Sequence, residues 1–311
     1  MKTHIQIKNE AEACLIEIEG TIGVPEEWQF DDPDTRVATY ERFREEVARI
    51  AAIEADEVIV TIRSTGGDVN DALLIHDALC QLNASGSLRD LPVVAVDVIS
   101  AASRVHQRTG GPFDPTVLPM VEALEKGAGM EDARALVGMG RVRMDGRTVR
   151  FGREGMKMSL DGIAKGYIAD LGAKHLLRAG VRDFLINAGG DIVAHGSKAG
   201  KPWKVAVENP GKYEGRTAYP AVCALKGQAM ATSGNYESAA KGFGHLIDPL
   251  GRKGVRPVSA TVIAPTAMEA DALATALCVM EKPLAFIESM PHTSCCLIMP
   301  DGSVLRSSRW A

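Results

Sequence analysis

Aromatic residues are scarce, at 5% of the chain, and the lysines and arginines are scattered rather than massed on one stretch. A nucleic-acid partner would want a basic face for its phosphates and rings to stack on its bases, so both shortages argue against one. No run of 18 apolar residues occurs, which leaves no segment suited to a transmembrane helix. CxxC pairs are missing as well. The six cysteines are Cys14, Cys80, Cys223, Cys278, Cys295 and Cys296. The adjacent Cys295 and Cys296 suit neither a disulfide nor a zinc site, so the expectation is six reduced, mostly buried thiols. The opening MKTHIQIKNEAEA is too charged for a signal peptide, and as written the chain is expected to stay in the cytoplasm. What is present is ordinary for a globular protein. There are 311 residues, 46% hydrophobic and 24% charged, with a net charge of -5, enough for one large or two ordinary domains.

The first 82 residues read as strand, strand, helix, strand, helix. Cys14–Gly20 alternates apolar and polar residues, as a half-buried strand does. Tyr40–Ile53 has helical spacing, and Glu57–Ile62 is a β-branched run expected as a buried strand. The turn Arg63-Ser64-Thr65-Gly66-Gly67-Asp68 then leads into a helix over Val69–Leu82. Strand, Gly-Gly turn and helix N-terminus together suit an oxyanion-holding device, and equally a tight turn that needs glycine. The stretches IEIEGTIG and EVIVTIRSTGGDVNDALLIHDAL resemble the opening of a phage-type Clp protease subunit, with its crotonase-like ββα unit. That resemblance implies a nucleophile near Ser100, although no histidine follows between His106 and His175. Clp-like segments often assemble into rings, so a homo-oligomer stays open.

From Asn83 the chain changes character, and the boundary is placed at residue 82. A helix is expected over Val93–Gln107, stopped near Gly110-Gly111. Five segments then carry chemistry. Gly110-Gly111-Pro112-Phe113-Asp114-Pro115-Thr116-Val117 is a helix stop followed by a fixed loop. Ser159-Leu160-Asp161-Gly162-Ile163-Ala164-Lys165-Gly166-Tyr167 runs into a helix over Ile168–Ala179. A glycine-rich turn at a helix N-terminus suits a phosphate, and Lys165 adds a mobile positive charge; an ordinary turn fits the spacing equally well. Phe184-Leu185-Ile186-Asn187-Ala188-Gly189-Gly190-Asp191-Ile192 is a buried strand with a Gly-Gly turn, and it lacks GxGxxG. Ala231-Thr232-Ser233-Gly234-Asn235-Tyr236 pairs with His245-Leu246-Ile247-Asp248-Pro249, where His245 sits among polar, glycine-rich turns. Last, Asp271 and Thr275 lie one turn apart on an apolar helix. Hard oxygens so placed suit Mg²⁺, while a cap and a self-bonded threonine are the plain alternative.

In this order and spacing, GGPFDPTV, SLDGIAKGYIAD, INAGGDI, ATSGNYE, HLIDP and ADALATAL resemble the motifs of the ApbE family, the FAD:protein FMN transferases, from about residue 83 to about 290. The resemblance implies an α+β fold: a mixed-sheet domain with outer helices over residues 83–311, preceded by the small Clp-like ββα segment over 1–82. It implies FAD as substrate, Mg²⁺ as cofactor and an acceptor protein that offers a threonine or serine. Carried over to this chain, the metal ligands are Asp271, Thr275 and the backbone carbonyl of Gly162. The FAD contacts are Pro112, Phe113, Asp114, Ser159, Lys165 and Ile247, and His245 assists deprotonation of the acceptor hydroxyl. Many family members carry Asp where this chain has Ser159. Members are often exported, and they carry a methionine and a tyrosine near the flavin ring in the part that the Clp-like segment replaces here. Water as attacker would make the protein an FAD pyrophosphatase. A non-catalytic FAD-binding remnant and a Clp-like serine peptidase or oligomerisation module complete the alternatives.

Overall fold

The computed structural model describes residues 4–10, 13–19, 58–63, 69–208, 219–235, 246–252 and 254–310, with backbone alone for those before residue 74. The helix expected over residues 40–53, the Gly-Gly turn at 64–68 and His245 lie outside these residues. No helix among them is long and apolar enough to cross a membrane.

Strands β1 (His4–Glu10), β2 (Ala13–Glu19) and β3 (Val58–Arg63) are followed by helix α1 (Val69–Ser85). A small antiparallel sheet is made by β4 (Ser87–Leu88), β5 (Val142–Asp145) and β6 (Thr148–Phe151). Between β4 and β5 come α2 (Val93–Thr109), α3 (Leu118–Glu125) and α4 (Met130–Ala135). Helix α5 (Ala164–Arg178) leads to β7 (Phe184–Ala188) and β8 (Asp191–His195). The hairpin of β9 (Trp203–Val207) and β10 (Ala221–Leu225) precedes β11 (Gln228–Gly234) and β12 (Ser259–Ala264). Helices α6 (Ala267–Leu277) and α7 (Pro283–Glu288) and strands β13 (Ser294–Ile298) and β14 (Val304–Arg306) complete the described chain.

The large sheet runs β1-β2-β3-β7-β8-β11-β12-β13-β14. Its pairs are antiparallel except β2 with β3 and β3 with β7, which are parallel, so the mixed α+β expectation holds. The first segment therefore contributes strands to the same sheet as the rest. Helix α1 also runs through the boundary placed at residue 82. Leu82 is fully buried in the main core, and the Asn83 amide makes a reciprocal pair with the Met158 backbone, donating to its carbonyl at 2.9 Å and accepting from its N–H at 2.8 Å.

Helical and strand periodicities place the core as expected. On α2, Ala95, Val98, Ile99, Ala102 and Val105 are buried, an i, i+3, i+4, i+7 stripe. Gly110 ends the helix in the left-handed conformation at φ 69, with its N–H and that of Gly111 bonded back to Gln107 and His106. Strand β12 is buried on both faces. Ala260, Val262 and Ala264 join the core under α2 and α6, and Ile263 joins Trp203, Cys223 and Leu225 of the hairpin on the other side. Helix α6 is rich in alanine, which lets it lie close to the sheet and to α5. The thiols of Cys223, Cys278, Cys295 and Cys296 are buried and that of Cys80 is exposed. Burial pushes Cys278 and Cys295 up to about 12.

Candidate functional site

One difference from the expected helices matters for the site. Helix α5 starts at Ala164, not Ile168, so Lys165 stands on its first turn instead of in the loop before it. Gly166 reads locally as a turn residue, yet it is helical and buried because α6 packs against it. A Cβ on Gly166 would lie 2.3 Å from the Ala267 carbonyl oxygen. That close crossing sets the start of α5 against Asp271 and Thr275 of α6, and the start of α6 against Asp170 of α5.

Each of these helices caps the other. The Ile163 side chain makes no capping hydrogen bond at the start of α5. Instead the Gly166 N–H donates to Asp271 Oδ2 of α6 at 3.1 Å. In return, Asp170 of α5 accepts from the N–H groups of Ala267 and Met268 at 2.9 Å each. Thr266 completes the α6 cap by accepting from the Glu269 N–H. These bonds satisfy the first N–H groups of α6, whereas the start of α5, with Gly162 and Lys165, faces the cleft, and the positive end of that helix favours an anion.

The start of α5 opens on a cleft of about 820 Å³. Pro112, Phe113, Asp114, Ser159, Gly162, Lys165, Ile247, Asp271 and Thr275 all line it. Residues drawn from segments up to 163 positions apart in the chain thus share one cavity, as their family motifs imply. His245 is not among the described residues, although its neighbours Leu246 and Ile247 line the cleft. Ser100, the nucleophile implied by the Clp resemblance, sits inside α2.

Asp271 is 4% exposed, and Thr275, one turn on, bonds Ser233 Oγ through its hydroxyl at 3.1 Å. Gly162 packs onto Thr275 so closely that a Cβ there would lie 2.9 Å from Thr275 Oγ1. Among the described residues no three His, Cys, Asp or Glu side chains are grouped to hold a metal. A cation here would instead rest on one carboxylate, one hydroxyl and one backbone carbonyl. That sparse set of hard oxygens suits Mg²⁺, which keeps places for phosphate and water.

Asp114 does something more specific than line the cleft. Its carboxylate accepts from Thr116 N–H at 2.8 Å, the Thr116 hydroxyl and Met139 N–H at 3.1 Å, and lies 3.3 Å from His106 Nδ1. Those bonds leave it to fix the Pro112–Pro115 loop, while the loop backbone and Phe113 face the cavity.

Three further residues of the site, Asp191, Asp170 and Ser233, stand out only in the fold. Asp191 opens β8 and is fully buried, and among the described residues neither carboxylate oxygen has a hydrogen-bond partner in good geometry. The nearest cation is Lys165, 3.4 Å from Oδ1. Burial raises the carboxyl pKa of Asp191, as does the charge of Asp271, and Lys165 opposes both. Burial raises Asp271 too, against Lys165 and the Gly166 N–H. The available sequence signal was an acidic residue starting an otherwise apolar strand straight after a glycine pair.

Comparison with known proteins agrees with this geometry. A model of the ApbE family matches residues 26–297, a wider span than the motifs alone cover and one that begins within the Clp-like segment. The FAD:protein FMN transferase of Salmonella typhimurium is 31% identical over 266 residues, covering 76% of this chain and 75% of that one. The one from Escherichia coli K12 is 31% identical over 244 residues, 68% of each chain. Among solved structures, the flavin transferase ApbE from Vibrio cholerae superposes with a TM-score of 0.66 at 25% identity, over 89% of this chain and 91% of that one. The ApbE protein of Thermotoga maritima gives a TM-score of 0.66 at 26% identity, over 77% and 89% of the two chains.

Proposed function

The chain belongs to the ApbE family, and on that footing we propose that it is a Mg²⁺-dependent FAD:protein FMN transferase. It would move FMN from FAD to a threonine or serine hydroxyl of an acceptor protein and release AMP. One observation carries this reading beyond family membership: Lys165, Asp271, Thr275 and Gly162 line one cleft at the start of α5, where the Gly166 N–H bonds Asp271 of α6.

In this reading the FAD pyrophosphate lies at the start of α5, with Lys165 half-exposed beside it. Phe113, the Pro112 loop and Ile247 face the rest of the ligand. Gly162, Asp271 and Thr275 would hold Mg²⁺, which when bound supplies charge neutralisation to the pyrophosphate oxygens. The acceptor oxygen attacks the FMN phosphorus, forming one P–O bond as the bond to the AMP phosphate breaks. Lys165 and the N-terminus of α5 stabilise the negative charge that gathers on the leaving AMP. The hydroxyl proton goes to a base, and His245 is the candidate that the family resemblance assigns. A hydroxyl is a weak nucleophile at neutral pH, so a base within reach speeds the step. Water in place of the acceptor gives FMN and AMP.

The first test is equilibrium binding of FAD, followed by its fluorescence with Mg²⁺ or with chelator. Saturable binding that strengthens with Mg²⁺ and loses that response in Asp271→Asn is expected. Binding indifferent to both Mg²⁺ and the substitution would sink the reading.

A further inference from the structure

The catalytic roles above leave Asp191 without a task. Its neighbours Gly189, Gly190 and Ile192 line the cleft, but its own carboxylate does not reach the cavity. It is fully buried, and among the described residues neither oxygen meets a hydrogen-bond donor in good geometry, an arrangement that costs stability and calls for a physical reason. It faces the Asp271 carboxyl and, at 3.4 Å, the Lys165 ammonium, which also donates to the Gly189 carbonyl at 3.4 Å. Lys165 has a flexible four-carbon stem and nearly half of its side chain is exposed, so little else holds its charge in one place. The turn that presents the Gly189 carbonyl is itself pinned, because Asn187 Oδ1 accepts from the Gly190 N–H at 3.0 Å.

We propose that Asp191 is a positioning residue: from beneath the cleft floor its carboxylate, with the Gly189 carbonyl, holds the Lys165 ammonium where the FAD pyrophosphate must sit. The inference rests on the transferase reading, since it gives Lys165 a phosphate to meet. Among the described residues Lys165 is the cation that Asp191 meets, so its value lies in placing Lys165 and not in holding the fold.

The test is a double-mutant cycle of Asp191→Asn and Lys165→Met, read in two ways on the full chain. The first readout is thermal unfolding without FAD or metal. Lys165→Met strands a buried carboxylate and is expected to lower Tm by about 4 °C. Asp191→Asn alone should leave Tm unchanged or raised, and should restore it in the Lys165→Met background. The second readout is AMP release from FAD with saturating Mg²⁺. Asp191→Asn should lower kcat by about tenfold or more, because a misplaced charge is lost mainly in the transition state. In the Lys165→Met background it should change kcat no further. Additive effects in either readout, a wild-type kcat for Asp191→Asn, or failure of that variant to fold would each overturn the proposal. So would a variant whose only defect is a higher Mg²⁺ requirement, which would make Asp191 a cation ligand. If the wild-type chain itself released no AMP, the transferase reading would fail, while the Tm cycle would still decide whether Asp191 holds Lys165.

Discussion

Replacing Gly166 with alanine tests the helix crossing on which the site depends. Two opposing effects can be weighed. Alanine in a helix interior is favoured over glycine by about 1 kcal/mol. Against that, the added methyl would lie 2.3 Å from the Ala267 carbonyl oxygen, 2.5 Å from its carbon and 2.8 Å from Met268 Cα. All three are backbone atoms of the capped first turn of α6, so no side chain can swing aside, and the cost falls at the upper end of the ~1–3 kcal/mol seen for overpacking. The net expectation is a loss of about 2 kcal/mol, or roughly 4 °C in Tm for a chain of this size. Gly172→Ala, on the same helix, is the control. Its Cβ would meet only Ile186 Cδ1 at 3.4 Å, an ordinary contact at the tip of a flexible side chain. That variant is expected to be neutral or more stable by up to ~1 kcal/mol. Function should divide in the same way, since separating α5 from α6 breaks the Gly166–Asp271 bond and parts Lys165 from Asp271. Differential scanning calorimetry on the two variants, followed by FAD binding, reads both effects. Equal Tm values for Gly166→Ala and Gly172→Ala would refute the account of the crossing.

Other expectations are simpler. Asn83→Ala removes both bonds to the Met158 backbone and should cost about 2 kcal/mol by denaturant unfolding, with the loss in the midpoint and not in the slope. Thr275→Val keeps the side-chain shape and should stay within about 1 kcal/mol of wild type, yet raise the Mg²⁺ needed for FAD binding; an unchanged Mg²⁺ response would remove Thr275 from the ligand set. Asp170 has its carboxyl raised by burial, which outweighs the two N–H groups it accepts from. A raised folded value means the folded chain holds the proton more tightly. The stability it contributes is full below the ordinary carboxylate range and declines as pH rises through the folded value. Unfolding free energies measured from pH 3 upward should therefore show the wild-type margin over Asp170→Asn shrinking as pH rises; a growing margin would reverse the assignment. A thiol reagent should label Cys80 in the native protein well before Cys223, Cys278, Cys295 or Cys296, as followed by peptide mapping.

The chemistry of the cleft was largely legible in the sequence because its parts are short, rigid and collinear. Gly110 had to stop a helix, Pro112–Pro115 had to form a fixed loop, and Asp271 and Thr275 had to share a helix face. Local rules dictate each of these. What joins them was not local. Gly166 reads as a turn until α6 is seen against it, so the start of α5 was placed four residues late. The mutual capping by Asp170 and Asp271 depends on how two helices cross, which neither helix encodes alone. Asp191 was invisible for a similar reason: which face of β8 is buried follows from its pairing with β7 and β11. The first segment shows the same limit from the other side. Its strands were expected, but their parallel pairing through β3 to β7, which carries them into the main sheet, comes from contacts more than a hundred residues apart.

The central claim is that this cleft splits FAD between its two phosphates. Chromatographic measurement of AMP released from FAD tests it most directly, with Mg²⁺, with chelator, and in Asp271→Asn. The account predicts AMP release that needs Mg²⁺ and is lost in Asp271→Asn, with the flavin recovered as FMN or attached to an added acceptor protein. Intact FAD after prolonged incubation with Mg²⁺, or AMP release that Asp271→Asn leaves unchanged, would contradict it.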